Sequence, residues 1–298
     1  MSYLVSVIIP TWNLRNDCIA CLESVLMLNY PKNLLEVIVV DNASCDGSAT
    51  EIKKRFPAVR VLKLSKNWGY AGGINRGVKV SSGKYILILN NDTILDKNML
   101  KNLLEVLSKS SKIGAVGPKV YFFDRPKEIE KVWGEIDQET MNLKNVGRGE
   151  LDRGQYNQLR DVDALVFVGL LVRREVFNSI GKLDERYFML YEDVDFFLRV
   201  KEAGYRMIYV PKAMIWHKGS LSIKKIKSDL PYYLVRNQLL TIAKHGRMTI
   251  FNHIKNVRFM LSSFLIAIFS TKQRKHFLLL AFGVFDFYRG QYGRREVR

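Results

Sequence analysis

Cysteine is scarce in this 298-residue chain. All three cysteines fall before residue 46, which argues against a disulfide framework and for a reducing compartment. Cys18 and Cys21 stand one helical turn apart in DCIACLESVL, yet no second pair completes a zinc site, and both fit the apolar stripe of a helix. Long apolar runs are lacking as well. The longest, FMLSSFLIAIF at 259–269 and FLLLAFGVFDF at 277–287, fall short of the ~20 residues that cross a bilayer. The start, MSYLVSVIIPT, has no basic region and runs straight into a strand pattern, so no secretory leader is expected. Three ligand signatures are missing: GxxxxGK[ST], GxGxxG after the first strand, and the GxSxG elbow. P-loop, dinucleotide and α/β-hydrolase readings are weak accordingly.

What is present is alternation. LVSVIIP, EVIVVDN, VRVLKLS and YILILNND read as strands; DCIACLESVLML, SATEIKKRF (capped by Ser48) and AGGINRGVKVS read as the helices between them. The pattern predicts an α/β fold, a mostly parallel sheet with helices on both faces. Ligands of such sheets sit outside the carboxyl ends of the strands. Those ends are polar here: Thr11 and Asn13, Asp41 and Asn42, Lys66 and Asn67, then Asn90, Asn91 and Asp92. Any one could be a turn residue; four strands ending alike predict a site. Residues 124–161 loosen into a long connection with a hairpin. Regularity returns with DALVFVGLLVRREVF, a helix over 193–203, and the strands YRMIYVP and AMIWH, the last ending in His217.

The motifs VSVIIPTWN, VIVVDNASCDGS, NWGYAGGINRG, LILNNDT, FVGLLVRREVFNSIGKLDERYFMLYEDVDFFLRVKEAGYRMIYVP and WH follow one another over residues 4 to 220. In that order they resemble family-2 glycosyltransferases of the GT-A, Rossmann-like fold, in the rhamnosyltransferase-like branch. The resemblance implies an inverting transfer of sugar from a UDP- or dTDP-linked donor to a hydroxyl of a saccharide or lipid-linked acceptor. It implies that Asp41 bonds the nucleobase imide and that Pro10, Thr11 and Asn13 line the base and ribose pocket. Asn67, Gly69, Gly72, Gly73 and Asn75 would border the nucleotide. Asn90-Asn91-Asp92 stands where the family has Asp-x-Asp, so Asp92, with His217, would hold a divalent Mn²⁺ or Mg²⁺ on the diphosphate. Asn90 departs from the family and leaves one charged ligand in the triplet. Glu192 and Asp193 match the acidic pair whose second member is the general base; alone, they could merely complement a helix dipole. Asp195 and Arg199 are read as support. Trp133-Gly134 and Gly169 match the acceptor side.

The formal charge of +18 is uneven: from Lys218 onward sixteen lysines and arginines face three acids. The chain is therefore read as a catalytic domain over 1–220 and a basic, amphipathic helical region over 221–298. Lys272, Arg274 and Lys275, then Arg289, Arg294 and Arg295, flank the apolar stretches and predict peripheral contact with an anionic membrane from the cytoplasm. Packing on the catalytic domain or in a homo-oligomer is the alternative. PYYLVRNQLL and FDFYRGQYGRR also resemble the C-terminal part of that branch. A basic region with interleaved aromatics could instead bind nucleic acid, but nothing in the first 217 residues calls for one. A noncatalytic nucleotide-sugar binder would lack a base that this sequence has.

Overall fold

The computed structural model describes residues 3–219, 227–246 and 271–295. Its centre is a ten-stranded sheet. Strands β1 (Val5–Thr11), β2 (Leu35–Asp41), β3 (Arg60–Lys63) and β4 (Tyr85–Leu89) run parallel in the order β3-β2-β1-β4. Beyond β4 comes the antiparallel β11 (Gly169–Arg173), then β6 (Ile113–Phe122) and β12 (Arg206–His217), parallel to each other. Short strands β5 (Thr93–Leu95), β7 (Ile129–Lys131) and β10 (Arg160–Asp161) pair at the margins. β8 (Gly134–Ile136) and β9 (Leu143–Asn145) form the hairpin expected in the long connection.

Side chains alternate across a strand, and the core divides accordingly. Val5, Val7 and Ile9, with Tyr85, Leu87 and Leu89, face helices α1 (Arg15–Leu26), α2 (Ser48–Arg55) and α4 (Met99–Leu107). Ile8, Ile86 and Ile88 face α3 (Gly69–Val80), α5 (Arg174–Ile180) and α6 (Glu192–Glu202). Both faces are thus covered, as apolar parallel strands require. Cys18 and Cys21 are buried on α1.

Several local expectations are corrected. Ser48 lies inside α2: Gly47 precedes the helix with φ +80°, and Asp46 accepts the Ser48 N–H. YRMIYVP and AMIWH are one twelve-residue strand with an irregularity between Val210 and Met214. β4 does not run on to Asp92; the chain turns there and leaves as β5, which pairs with β12.

The basic region supplies a first tail helix, Leu230–His245, and a second, Thr271–Tyr288, packed on each other. A Cβ on Gly283 would lie 2.5 Å from Val235 and 2.7 Å from the Tyr232 carbonyl, so glycine permits their close crossing. The stretch 259–269 lies outside the described residues. Among the described residues no helix is long and apolar enough to cross a membrane.

Candidate active site

The strand ends converge and are tied together. Asn91 donates to Thr11 Oγ1 at 2.7 Å, joining the tips of β4 and β1. Asn13, held at φ +53°, accepts from Cys45 N at 2.8 Å and donates through its N–H to Ser44 Oγ at 3.0 Å. Asp41 is wholly buried; one carboxylate oxygen accepts from Ser44 N at 3.2 Å, and Oδ2 has no partner. Asn67 accepts from Gly69 N at 2.8 Å at the entry to α3. Pro10 pairs with Val40 near the tip of β1.

Asp92 and His217 meet. The sheet dictates this: His217 pairs with Thr93 across β12 and β5, and Lys218 N donates to Asp92 O. Asp92 Oδ1 and His217 Nε2 are 3.2 Å apart, both side chains almost fully buried. The other ring nitrogen, Nδ1, lies 2.7 Å from Glu130 Oε2. Burial alone would depress the imidazole, but the two carboxylates outweigh it and raise it to about 9. On a near-octahedral shell with ~2.1 Å bonds, neighbouring ligand atoms stand ~3 Å apart. The pair fits two such positions, with Glu130 orienting the imidazole from behind as an outer carboxylate does. Among the described residues no group of three or more His, Cys, Asp or Glu side chains is arranged to hold a metal on its own.

Glu192 and Asp193 open α6, where the helix dipole favours negative charge. Asp193 Oδ1 accepts from Val194 N at 2.8 Å. Glu192 is buried, and its Oε2 has no partner. Burial, then the neighbouring Asp193 charge, raises Glu192 to about 8. Burial raises Asp193 too, opposed by the Val194 N–H and the Lys131 charge. Because the Asp193 charge raises Glu192, Glu192 is the member of the pair that holds its proton more tightly. Tyr70 links the two halves of the site. Its hydroxyl donates to Asn90 Oδ1 at 2.7 Å. Burial first, and then the charges of Glu192, Asp193 and Asp92, push its phenol well up. A neutral Asn90 at this point avoids adding another carboxylate.

Other expected residues are placed differently. Asn75 is buried: its amide donates to Leu183 O and Glu185 Oε1 at 2.9 and 3.0 Å and accepts from Leu183 N. It braces α3 against that loop. Gly72 and Gly73 lie within α3, where a Cβ would meet Trp68 and Asn42 at 2.7 and 2.8 Å. Trp133 is enclosed by Tyr156, Tyr209 and Arg160. A Cβ on Gly169 would press on Ile215, Met99 and Pro118, so glycine there serves close packing. Asp195 is bound by Arg199, as expected of a support, and also by Lys244 and His245 of the first tail helix, at 2.8, 2.6 and 2.8 Å. Glu130, Tyr70 and Lys131 were not foreseen. Tyr70 lay in a quoted motif, but Glu130 and Lys131 sit in the irregular connection and carried no signal.

A mostly parallel sheet crossed by the antiparallel β11 between β4 and β6, with a site across its carboxyl edge, places the molecule among proteins of the GT-A glycosyltransferase fold. The mannosyltransferase PcManGT of Pyrobaculum calidifontis, solved in complex with GDP-Man and Mn²⁺, has this fold: TM-score 0.58 at 15% identity, covering 98% of this chain and 87% of that one. A family model described as Glycosyl transferase family 2 matches residues 6–181, and the chain belongs to that family. An uncharacterized protein, y4gI, of Sinorhizobium fredii is 30% identical over 74% of this chain and 25% of its own length. An N-acetylglucosaminyl-diphospho-decaprenol L-rhamnosyltransferase of Mycobacterium tuberculosis is 28% identical over 61% of this chain. The chain covers 66% of that relative.

Proposed function

We propose that the protein is an inverting glycosyltransferase that takes a sugar from a UDP- or dTDP-linked donor to a hydroxyl of a saccharide or lipid-linked acceptor. The observation that carries this is Tyr70: its hydroxyl donates to Asn90 Oδ1, two residues before Asp92, at 2.7 Å, and the charges of Glu192, Asp193 and Asp92 all reach its phenol, so a phosphate-side acid and a base lie near one group. Asp193 deprotonates the acceptor hydroxyl as it attacks the anomeric carbon, a role worth ~10²–10⁴-fold in rate. Glu192 keeps its proton and so does not compete. The orphaned Asp41 Oδ2 is an acceptor for the N3–H of uracil or thymine. Asp92 and His217 are the residues that would hold Mn²⁺ or Mg²⁺; when bound, such an ion stabilises the charge developing on the departing nucleotide. A lipid-linked acceptor is suggested by the mycobacterial relative's diphospho-decaprenol substrate.

Turnover of UDP- and dTDP-sugars by wild type, and its loss in Asp193→Asn with nucleotide binding intact, is the test. Hydrolysis and transfer unchanged in the variant would remove the base. A noncatalytic binder would show nucleotide affinity without turnover. A nucleic-acid binder would retain DNA or RNA on filters at physiological salt, which the acid-lined strand ends disfavour.

We propose further that the second tail helix rests on an anionic membrane from the cytoplasmic side. Leu278, Phe282, Phe285 and Tyr288 are each 47–54% exposed. Their spacing puts them on one helical stripe, on a region dense in lysine and arginine. Sedimentation with phosphatidylglycerol vesicles but not phosphatidylcholine vesicles is expected. Loss of pelleting in the double variant Phe282→Ser, Phe285→Ser would tie it to this stripe. A dimer that the same changes dissolve would assign the face to a second copy.

A further inference from the structure

The segment that leads into the acid pair is strained. Phe188, Leu190 and Tyr191 have φ of +62°, +64° and +70°, and none is glycine. Such backbone persists where the surroundings over-determine it, and the surroundings here can be fully accounted for. The Arg186 carbonyl accepts from Arg236 Nη2 at 3.1 Å. The Tyr187 carbonyl accepts from Arg236 Nη2 at 3.1 Å and Asn237 Nδ2 at 2.9 Å. The Phe188 carbonyl accepts from Tyr70 N at 2.8 Å. Those of Met189 and Leu190 lie 2.7 and 2.9 Å from Asn237 Nδ2, whose two N–H groups are shared among the three carbonyls. Every carbonyl from 186 to 190 is thus held, four of the five by two neighbouring side chains of the first tail helix.

Those two side chains are themselves fixed. Arg236 and Asn237 are 0% exposed. Arg236 Nε donates to Asn237 Oδ1 at 3.0 Å and so orients the amide, while Nη1 donates to Tyr232 Oη and Gly293 O. Phe188 stacks on Tyr233 with ring centres 5.5 Å apart, and Thr241 donates to the Tyr187 hydroxyl. Opposite, a Cβ on Gly69 would fall 2.1 Å from the Phe188 carbonyl oxygen, so α3 closes the other side of the same rail.

We infer that Asn237, oriented by Arg236, is a positioning residue that sets the Tyr187–Leu190 backbone and thereby aims Glu192 and Asp193 into the cleft. The tail is then part of the catalytic apparatus, independent of its outer face. This rests on the reading of Asp193 as base. It predicts a division between chemistry and donor binding, because Asn237 touches no residue of the donor edge among its hydrogen-bond partners.

Asn237→Asp keeps the shape and replaces the donating group by an acceptor. Its kcat should fall about 100-fold, the scale of a misplaced reactive group, with the calorimetric Kd for UDP or dTDP in Mn²⁺ unchanged. Leu234→Ala, on the exposed side of the same helix, should leave both unchanged. Wild-type kcat in Asn237→Asp overturns the inference, and so does a nucleotide Kd that weakens in step with kcat. Asn237→Gln serves if that variant fails to fold: it keeps the donating amide but displaces it by one methylene, so kcat should fall with nucleotide Kd unchanged, and wild-type kcat in it overturns the inference. The two readings fail separately. Active Asp193→Asn removes the base, whereas inactive Asp193→Asn beside fully active Asn237→Asp removes the positioning role alone.

Discussion

Asp92 and Asp193 approach one phenol from regions built by different means. Asp92 comes from the edge of a sheet. Its neighbours Thr11, Asn91 and His217 are delivered by strand register, and a strand that is buried on both faces has little freedom to slip. Asp193 opens α6 behind a segment with three non-glycine residues in left-handed backbone, fixed by side chains about fifty positions further on. The first arrangement is inherited from secondary structure. The second is assembled from outside, and binding at one and chemistry at the other should be separable by mutation.

Asp193→Asn should break the comparison most sharply, lowering kcat by ~10²–10⁴-fold while calorimetry finds unchanged nucleotide affinity. Asp92→Ala should do the reverse: Mn²⁺-dependent UDP or dTDP affinity falls by more than the ~10–100-fold that loss of an outer-shell partner costs, and unchanged affinity would contradict the metal role. Glu130→Gln sharpens the same side. It should weaken Mn²⁺ binding within that ~10–100-fold range, read by metal titration.

Glu192→Gln should be the mildest, because glutamine mimics the protonated form: kcat should stay within about tenfold of wild type. It should also change the pH dependence of stability. A carboxyl that titrates at about 8 when folded and at ~4.3 when unfolded binds its proton more tightly in the native state. Wild type therefore loses stability as pH rises between those values, and thermal melts of Glu192→Gln should show a shallower decline, with the contribution of His217 remaining.

The donor edge was legible because period-two alternation locates strands, and a polar cluster at each carboxyl end then locates the crevice. The acid pair was legible as a motif but not as a geometry, since nothing in FMLYED announces left-handed backbone at phenylalanine, leucine and tyrosine. Asn75 and Gly72 sit in the right motif and serve helix packing, which a linear pattern does not separate from ligand contact. Glu130 was invisible: it lies on β7, a three-residue strand with no hydrophobic period to anchor it. The tail read as a surface because its charge dominates its composition, while the two residues that matter inside it, Arg236 and Asn237, are polar and buried, the combination that hydropathy hides.

The buried Arg236 has a consequence during synthesis. Chains emerge from the ribosome N-terminus first, at ~5–20 residues per second. Once residue 217 is out, β12 can supply His217 beside Asp92 and that edge of the sheet can close. The segment leading into the acid pair still lacks its carbonyl partners until residues 230–245 follow. On the proposed reading, a nascent protein halted between these points would have its nucleotide side formed and its acid pair still unset.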